Sequence, residues 1–403
     1  MFTEYAQLVS KNMLRIQPVC CAGRRAAVAR ILRQPSDILT GDLPLRDLLS
    51  IGSLKRRAHN RAVCCPSLLG LSLLALGGVC SSSVALAQAA PSACTTQSAM
   101  TGDLRQTLAD SALAVATAVK AGDADRVRSM SASDIAANFD ATAFIVRQTS
   151  SAISGDTLRV THLYRLDAST RKAGDTAEAD FGCPLSGSTN EVDFSIPGLP
   201  PGIYAFAIVE ANGDRPWLLP LLLEQQGSSW KMAGFYPHPR TAAGHDGLWY
   251  WTTARADAKA GKRWLAWVLY GQADQLLRPA NFVTSTHLDE LRSERHSNAP
   301  GELSEGIGPD NPVVIRAKDN AEFRFTSVGS TATDDGKGVD LVLRYRADSA
   351  LGGDAGRTRN VAAAAALLTA HPELREGFSG VSVFAETPGQ TPFATELSFS
   401  EIH

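Results

Sequence analysis

The sequence predicts an α+β protein, and changes in the spacing of its apolar residues support this prediction. Apolar residues first recur every three to four positions over DLRQTLADSALAVATAVKAGD, and then alternate along several short segments. A tryptophan-rich helical stretch follows, and the last region has the predicted order strand–strand–strand–helix–strand–strand. The expected architecture is therefore a set of N-terminal helices on a curved antiparallel sheet, a Trp-rich helical hairpin, and a C-terminal α+β domain.

Composition excludes several classes of protein. The chain has 403 residues, of which 44% are apolar and 20% charged, as in a protein with a buried core rather than a disordered, collagen-like or polytopic membrane protein. Residues 1–87 carry 11 Lys and Arg against 4 Asp and Glu, whereas residues 88–403 carry 28 against 37. The resulting charge of −9 on the second part disfavours a nucleic-acid partner.

Residues 54–87 have the pattern of a secretory signal peptide. The basic stretch LKRRAHNR precedes the apolar stretch LLGLSLLALGGV, and an A-x-A site ends at Ala87. We expect cleavage after Ala87, a periplasmic or secreted product without a membrane span, and a mis-called N-terminal extension over residues 1–53. Two alternatives remain. In a membrane anchor the apolar segment would span the bilayer, but Pro66 and three serines interrupt it. In a lipoprotein Cys80 would carry the lipid, but the residue before it is Val79 rather than a small residue.

Cysteine usage agrees with export. Five of the seven cysteines lie before the expected cleavage site, which leaves Cys94 and Cys183. In an oxidising compartment these two form either one disulfide or two free thiols, with Cys94 in a flexible mature N-terminus over residues 88–102.

The first predicted domain covers residues 103–240. A helix that stops at Gly122 and a second helix near 123–139 precede about five alternating strands. On the first of these strands, Leu158, His162 and Tyr164 are separated by even numbers of residues, so strict alternation places them on the same face of the sheet. PGLPPG and Gly227-Ser228 form the turns. The five strands are expected at 158–166, 192–196, 204–208, 217–224 and 230–236.

Within this domain, VKAGDADRVRSM and the closing strand WKMAGFY resemble the NTF2-like (cone-shaped α+β) superfamily, over residues 103–236. The resemblance implies a pocket enclosed by the sheet and the helices. PGLPPGIYAFAIV departs from that pattern and is more typical of a β-sandwich strand pair. The candidate pocket residues are Tyr164, Tyr204, Trp217, Trp230 and Tyr236.

Residues 244–298 are predicted to be helical, and residues 247–279 resemble a single tetratricopeptide helix pair. Ala254, Ala266, Tyr270 and Ala273 carry this resemblance. One such repeat cannot bury its own apolar face. The hairpin is therefore either clamped between the flanking regions, with Trp264 buried, or presents an aromatic surface to a partner or a sugar.

The C-terminal domain is predicted over residues 309–403. Three strands at 313–317, 322–328 and 339–347 precede a helix at 358–370 and a short helix that starts at Pro372. Strands at 381–385 and 393–399 end the chain.

Sequence motifs give little support to catalysis. The chain contains no G-x-S-x-G, H-E-x-x-H or C-x-x-C motif, and we predict neither a metal site nor a cofactor. His238, His245 and Asp246 bracket the stretch HPRTAAGHD, where they are an acid–base pair, two metal ligands, or a solvated linker with Asp246 capping the next helix. His162 either points into a cavity or is a half-buried structural histidine.

Two functions are therefore open. The first is an exported, non-catalytic protein that binds a small ligand or an envelope protein. The second is a hydrolase or isomerase that uses His162 or His238 in the pocket of the first domain. A titratable pair converging in a closed apolar pocket would favour the second.

Overall fold

The computed structural model describes residues 93–153 and 157–402, so the predicted extension, signal peptide and cleavage site lie outside the described residues. The described residues all belong to one compact unit with the predicted α+β composition. No helix within them is both long and apolar enough to cross a membrane.

Four helices follow a short first strand in the described chain. The first begins after Thr101, whose hydroxyl accepts a hydrogen bond from the Leu104 N–H, and it ends before Gly122, whose φ is +68°. The helix predicted near 123–139 consists of two short helices, and a further amphipathic helix follows it that sequence analysis did not predict. The helices are α1 (Gly102–Lys120), α2 (Ala124–Ser129), α3 (Ser133–Ala137) and α4 (Asp140–Ala152).

A six-stranded antiparallel sheet, the main sheet, packs against these helices. Its strand order is β1-β2-β5-β6-β7, and β8 pairs with a further part of β6. Its first strand lies in the segment assigned from sequence to a flexible N-terminus, and it pairs with β2 from Cys94↔Leu166 to Thr96↔Tyr164. The strands are β1 (Cys94–Thr96), β2 (Thr157–Asp167), β5 (Ile203–Asn212), β6 (Trp217–Gln226), β7 (Ser229–Phe235) and β8 (His238–Pro239).

A second, three-stranded sheet covers the opposite face of the main sheet. It has the order β11-β4-β3, with β3 at Glu178–Pro184, β4 at Glu191–Pro197 and β11 at Val283–Ser285. PGLPPG therefore joins β4 and β5 in two different sheets that pack face to face, as in a β-sandwich. The disulfide between Cys94 and Cys183, with Cα atoms 5.4 Å apart, links β1 of the main sheet to β3 of the small one.

Two buried clusters lie on the two faces of the main sheet. The cluster between sheet and helices, here the helix-side core, includes Leu108, Val119 and Leu219. The cluster between the two sheets, here the inter-sheet core, includes Phe194 and Phe206. The main sheet is thus buried on both faces, which explains the nearly continuous apolar sequence of β5.

A β-bulge in β2 changes which face its residues occupy. Val160 pairs with Val209 and His162 with Ile208, so Thr161 is an extra residue in the strand. Val160 therefore contacts the helix-side core, whereas Tyr164 lies in the inter-sheet core. The strict alternation expected from Leu158 to Leu166 is wrong for this reason, because a shift of one residue moves a side chain to the other face.

The helical region contains three helices: α5 (Gly247–Lys259), α6 (Arg263–Leu277) and α7 (Thr286–Ser297). Helix α6 is buried on most sides, as its apolar composition predicts, and Trp264 is only 3% exposed. The strand β11 lies between α6 and α7 and connects this region to the small sheet. A two-residue ribbon of β9 (Thr241–Ala242) and β10 (His245–Asp246) precedes α5.

The C-terminal region is a five-stranded sheet, order β12-β13-β14-β15-β16, with helix α8 (Gly353–Ala370) between β14 and β15. The pair β14–β15 is parallel and the others are antiparallel. The strands are β12 (Val313–Arg316), β13 (Glu322–Ala332), β14 (Val339–Arg346), β15 (Gly380–Glu386) and β16 (Phe393–Ser398). All of these elements were predicted, although α8 starts earlier than expected.

The helical hairpin and the C-terminal sheet share one hydrophobic core. Trp264 and Leu269 of α6, Leu343 of β14 and Leu367 of α8 belong to a single buried cluster. A buried hydrogen bond of 2.6 Å from the Ser330 hydroxyl to Oε1 of Gln272 joins β13 to α6. The domain boundaries drawn from sequence stay a prediction, but α6 is packed as a layer on this sheet.

Candidate functional site

The five candidate pocket residues lie on both faces of the main sheet. Tyr164, Tyr204 and Tyr236 contact the inter-sheet core, whereas Trp217 and Trp230 contact the helix-side core. The structure therefore brings the three tyrosines into one buried region and separates them from the two tryptophans by the thickness of the sheet.

Aromatic rings fill the space between the two sheets. Tyr164, Phe194, Phe206, Phe282 and Tyr236 form a continuous series of edge-to-face contacts, with ring centroids 5.0–5.6 Å apart. Burial raises the pKa of Tyr236 to about 12 and also raises the pKa of Tyr164, so both phenols stay protonated at neutral pH. This region is a packed aromatic core in the part of the chain that the structure describes.

His162 lies beside a carboxylate without a hydrogen bond to it among the described residues. Its Nδ1 is 3.1 Å from the Thr161 hydroxyl, and the ring is exposed. Desolvation lowers the pKa of His162, and the nearby Glu210 carboxylate opposes this shift. The buried Glu210 carboxylate instead forms ion pairs with the guanidinium groups of Arg159, at 2.9 Å, and Arg240, at 3.4 Å.

The His238 side chain forms a hydrogen bond with the backbone of the next residue. It lies in β8 opposite Leu218, and its Nδ1 is 3.1 Å from the carbonyl of Pro239, to which a ring N–H donates. Nε2 is buried and has no hydrogen-bond partner among the described residues. Burial lowers the pKa of His238, so the ring is neutral at pH 7.

His245 and Asp246 are exposed and form part of a tight hairpin. Ala243 and Gly244, with φ of +47° and +77°, make the turn between β9 and β10. Asp246 caps α5, because its Oδ1 accepts a hydrogen bond of 2.9 Å from the Trp249 N–H. Among the described residues no group of three or more His, Cys, Asp or Glu side chains could hold a metal ion.

An exposed apolar surface lies at the start of α5. Leu248 is 58% exposed and Trp249 43%, and the His245 ring stacks on the Trp249 indole with centroids 3.8 Å apart. We call these three residues the α5 patch. Sequence analysis considered an aromatic surface on this hairpin but did not identify these residues; the signal was GLWYW directly after a capping aspartate, since one helix face cannot bury four consecutive large side chains.

The α5 patch has a rigid support. Tyr250 is buried, and its hydroxyl donates a 2.9 Å hydrogen bond to the carbonyl of Ala242 in the hairpin. The Tyr250 ring also contacts Trp249 edge-to-face at 5.0 Å. The hairpin and the first turn of α5 therefore hold Trp249 from two sides while its apolar surface stays accessible.

Two shallow cavities stand out in the described part of the chain, and both lie against the C-terminal sheet. The first, of about 160 Å³, is lined by Arg324, Arg346 and Arg359. The second lies near Arg357 and Phe393. Neither contains His162, His238 or the candidate aromatic residues.

Comparison of the chain with models of protein families, with curated proteins and with solved structures finds no match.

Proposed function

We propose that this chain is an exported, non-catalytic binding protein that docks an envelope protein through the α5 patch. The observation that carries the proposal is the pair of adjacent, exposed, large apolar side chains at Leu248 and Trp249. Tryptophan on a rigid support is the residue type that most often dominates binding energy at protein interfaces. A pre-organised side chain also loses little conformational entropy when it binds.

The histidine-based alternative, a hydrolase or isomerase, receives less support from the geometry. A general base needs a partner within about 3 Å and an enclosed site for substrate. Glu210, the acidic neighbour of His162, is paired with two arginines, and His238 donates to Pro239. The region between the main sheet and the helices, where a pocket was expected, is occupied by the buried apolar side chains of the helix-side core.

Export is part of the proposal. The disulfide between Cys94 and Cys183 supports an oxidising compartment, such as the periplasm or the extracellular medium. Mass spectrometry of protein recovered from the native cell is expected to find an N-terminus at Gln88. Recovery of chains that retain residues 1–53 would contradict export by the predicted signal.

We also propose that residues 103–236 have an NTF2-like fold. The helices α1 to α4, followed by an antiparallel sheet that ends in Trp230–Phe235 of β7, support this relationship. In this interpretation β3 and β4 form an additional layer on the face of the main sheet opposite the helices.

Site-specific photo-crosslinking tests the docking surface. A photoreactive phenylalanine analogue at position 248 is expected to give one discrete adduct in intact cells, and Trp249→Ala in the same chain should lower its yield at least tenfold. The matched control places the analogue at Val314, which is 47% exposed on β12. An adduct that forms at position 314 but not at 248, or whose yield is unchanged by Trp249→Ala, would overturn the proposed surface.

A further inference from the structure

The cavity at the end of the C-terminal sheet is lined by arginines from three elements. Arg324 lies on β13, Arg346 on β14 and Arg359 on α8, and the loop that follows β14 contributes Ser349. The cavity has a volume of about 160 Å³. It lies in a different part of the chain from the α5 patch.

Two of these arginines face each other across the strand pair. Arg324 and Arg346 are direct partners in the β13–β14 register, and like charges in this position destabilise a sheet. Arg324 is 3.6 Å from a carboxylate oxygen of Glu322, but that carboxylate is already bound by Arg316 at 2.8 Å. One carboxylate is therefore shared between two guanidinium groups.

The other arginines have no carboxylate partner among the described residues. Arg346 donates a 2.6 Å hydrogen bond to the backbone carbonyl of Pro309. Arg359 lies over the ring of Phe323 at 4.2 Å and donates to the backbone carbonyl of Glu322. These contacts orient both guanidinium groups without pairing either of them with a carboxylate.

The charge around the cavity is therefore positive. Arg324, Arg346 and Arg359 line it, and Glu322 and Asp348 are the acidic residues in its wall. Glu322 is paired with Arg316 from outside the cavity, so the balance favours an anion. This contrasts with the net charge of −9 on residues 88–403.

We propose that this cavity binds a phosphate group. Guanidinium groups make paired, charge-assisted hydrogen bonds to oxyanions, and three of them from three elements match the several oxygens of a tetrahedral phosphate better than the two of a carboxylate. The cavity is smaller than the 300–1,000 Å³ typical of sites that enclose a whole drug-sized ligand. It therefore admits the phosphate itself, which either a free ion or a lipid headgroup can supply.

The test measures the thermal stability of residues 88–403 at low ionic strength against increasing inorganic phosphate. Binding to the native state raises Tm, whereas the Arg324→Gln variant should lose most of that rise. Without phosphate, Arg324→Gln should unfold at the same or a higher temperature than the unmodified chain, because it removes one member of a like-charge pair. Isothermal titration should show at least tenfold weaker phosphate binding to this variant.

Arg357→Gln is the matched control. Both arginine side chains are 48% exposed, but Arg357 pairs with Glu401 and lies outside this cavity. A phosphate-dependent rise in Tm that is equal in both variants, or absent from the unmodified chain, would overturn the proposal. A second experiment measures binding to phosphatidylcholine vesicles that contain phosphatidylglycerol, and it identifies the source of the phosphate. Vesicle binding that depends on Arg324 supports a lipid headgroup, whereas binding of inorganic phosphate alone supports a free ion.

Discussion

Asn360 shows at the residue scale what hydrophobic spacing does not predict. It is fully buried in α8, and its amide donates to the Thr395 hydroxyl and to the carbonyls of Val383 and Phe393, while its oxygen accepts from the Tyr345 hydroxyl. A single asparagine thus satisfies polar groups on three strands. The apolar positions of the sequence predicted α8, but only the structure shows that the polar residue Asn360 lies on its buried face.

Asn360→Ala is expected to lower the free energy of unfolding by about 3 kcal/mol, because it leaves the hydroxyls of Tyr345 and Thr395 buried without their partner. Denaturant titration measures the change. Thr358→Ala, at an exposed position on the same helix, is the control and should change stability by less than about 0.5 kcal/mol. A loss below about 1 kcal/mol for Asn360→Ala would contradict the structural role of this network.

His238 predicts a pH dependence of stability. Burial lowers its pKa in the folded state below the ordinary value of 6.5, so the unfolded state binds more protons as the pH falls below about 6.5. Stability should therefore decrease on acidification in this range, and His238→Gln should reduce the slope. Burial also lowers the pKa of His371, so part of the slope should remain. An unchanged slope in His238→Gln would show that His238 is solvated in the folded state.

At the scale of elements, the sequence predicted most helices and strands but not their layers. Strands β12, β14 and β16 of the C-terminal sheet follow the alternation of their apolar residues, because one face of that sheet is buried against α6 and α8. The bulge at Thr161 and the partition of β4 and β5 into two sheets depend on pairing with distant strands. Local spacing carries no information on such pairing, and it therefore did not indicate that the candidate residues Tyr164 and Trp217 lie on opposite faces of the main sheet.

Helix α6 allows a direct test of the packed hairpin. Trp264 is 3% exposed and its indole stacks on the His371 ring with centroids 4.3 Å apart. Trp264→Ala should cost roughly 3–5 kcal/mol of stability, because it removes a large buried side chain and leaves a cavity. Trp249→Ala, on the exposed first turn of α5, should cost less than about 1 kcal/mol and serves as the control. Equal losses in the two variants would contradict this packing.

At the scale of the molecule, the described chain combines a sandwich of two sheets with a helical layer on a third sheet. The strand β11, between α6 and α7, pairs with β4 and joins the two parts. The candidate histidines are dispersed over this assembly: His162 lies on β2, His238 on β8 and His245 on the hairpin before α5. The exposed apolar side chains of the α5 patch lie together on one rigid support. The proposed function is therefore partner binding at this surface rather than catalysis in a buried pocket.

The most direct test of this account compares crosslinking from position 248 in three chains: the otherwise unmodified chain, a Trp249→Ala variant, and a variant with both His162→Gln and His238→Gln. If the α5 patch binds the partner, Trp249→Ala should lower the yield of the adduct at least tenfold, as expected for an interface residue worth about 1.4 kcal/mol or more. The double histidine variant, with folding checked by circular dichroism, should give the unmodified yield. Loss of the adduct in the histidine variant, with an unchanged yield in Trp249→Ala, would contradict the account and favour a function that depends on the histidines.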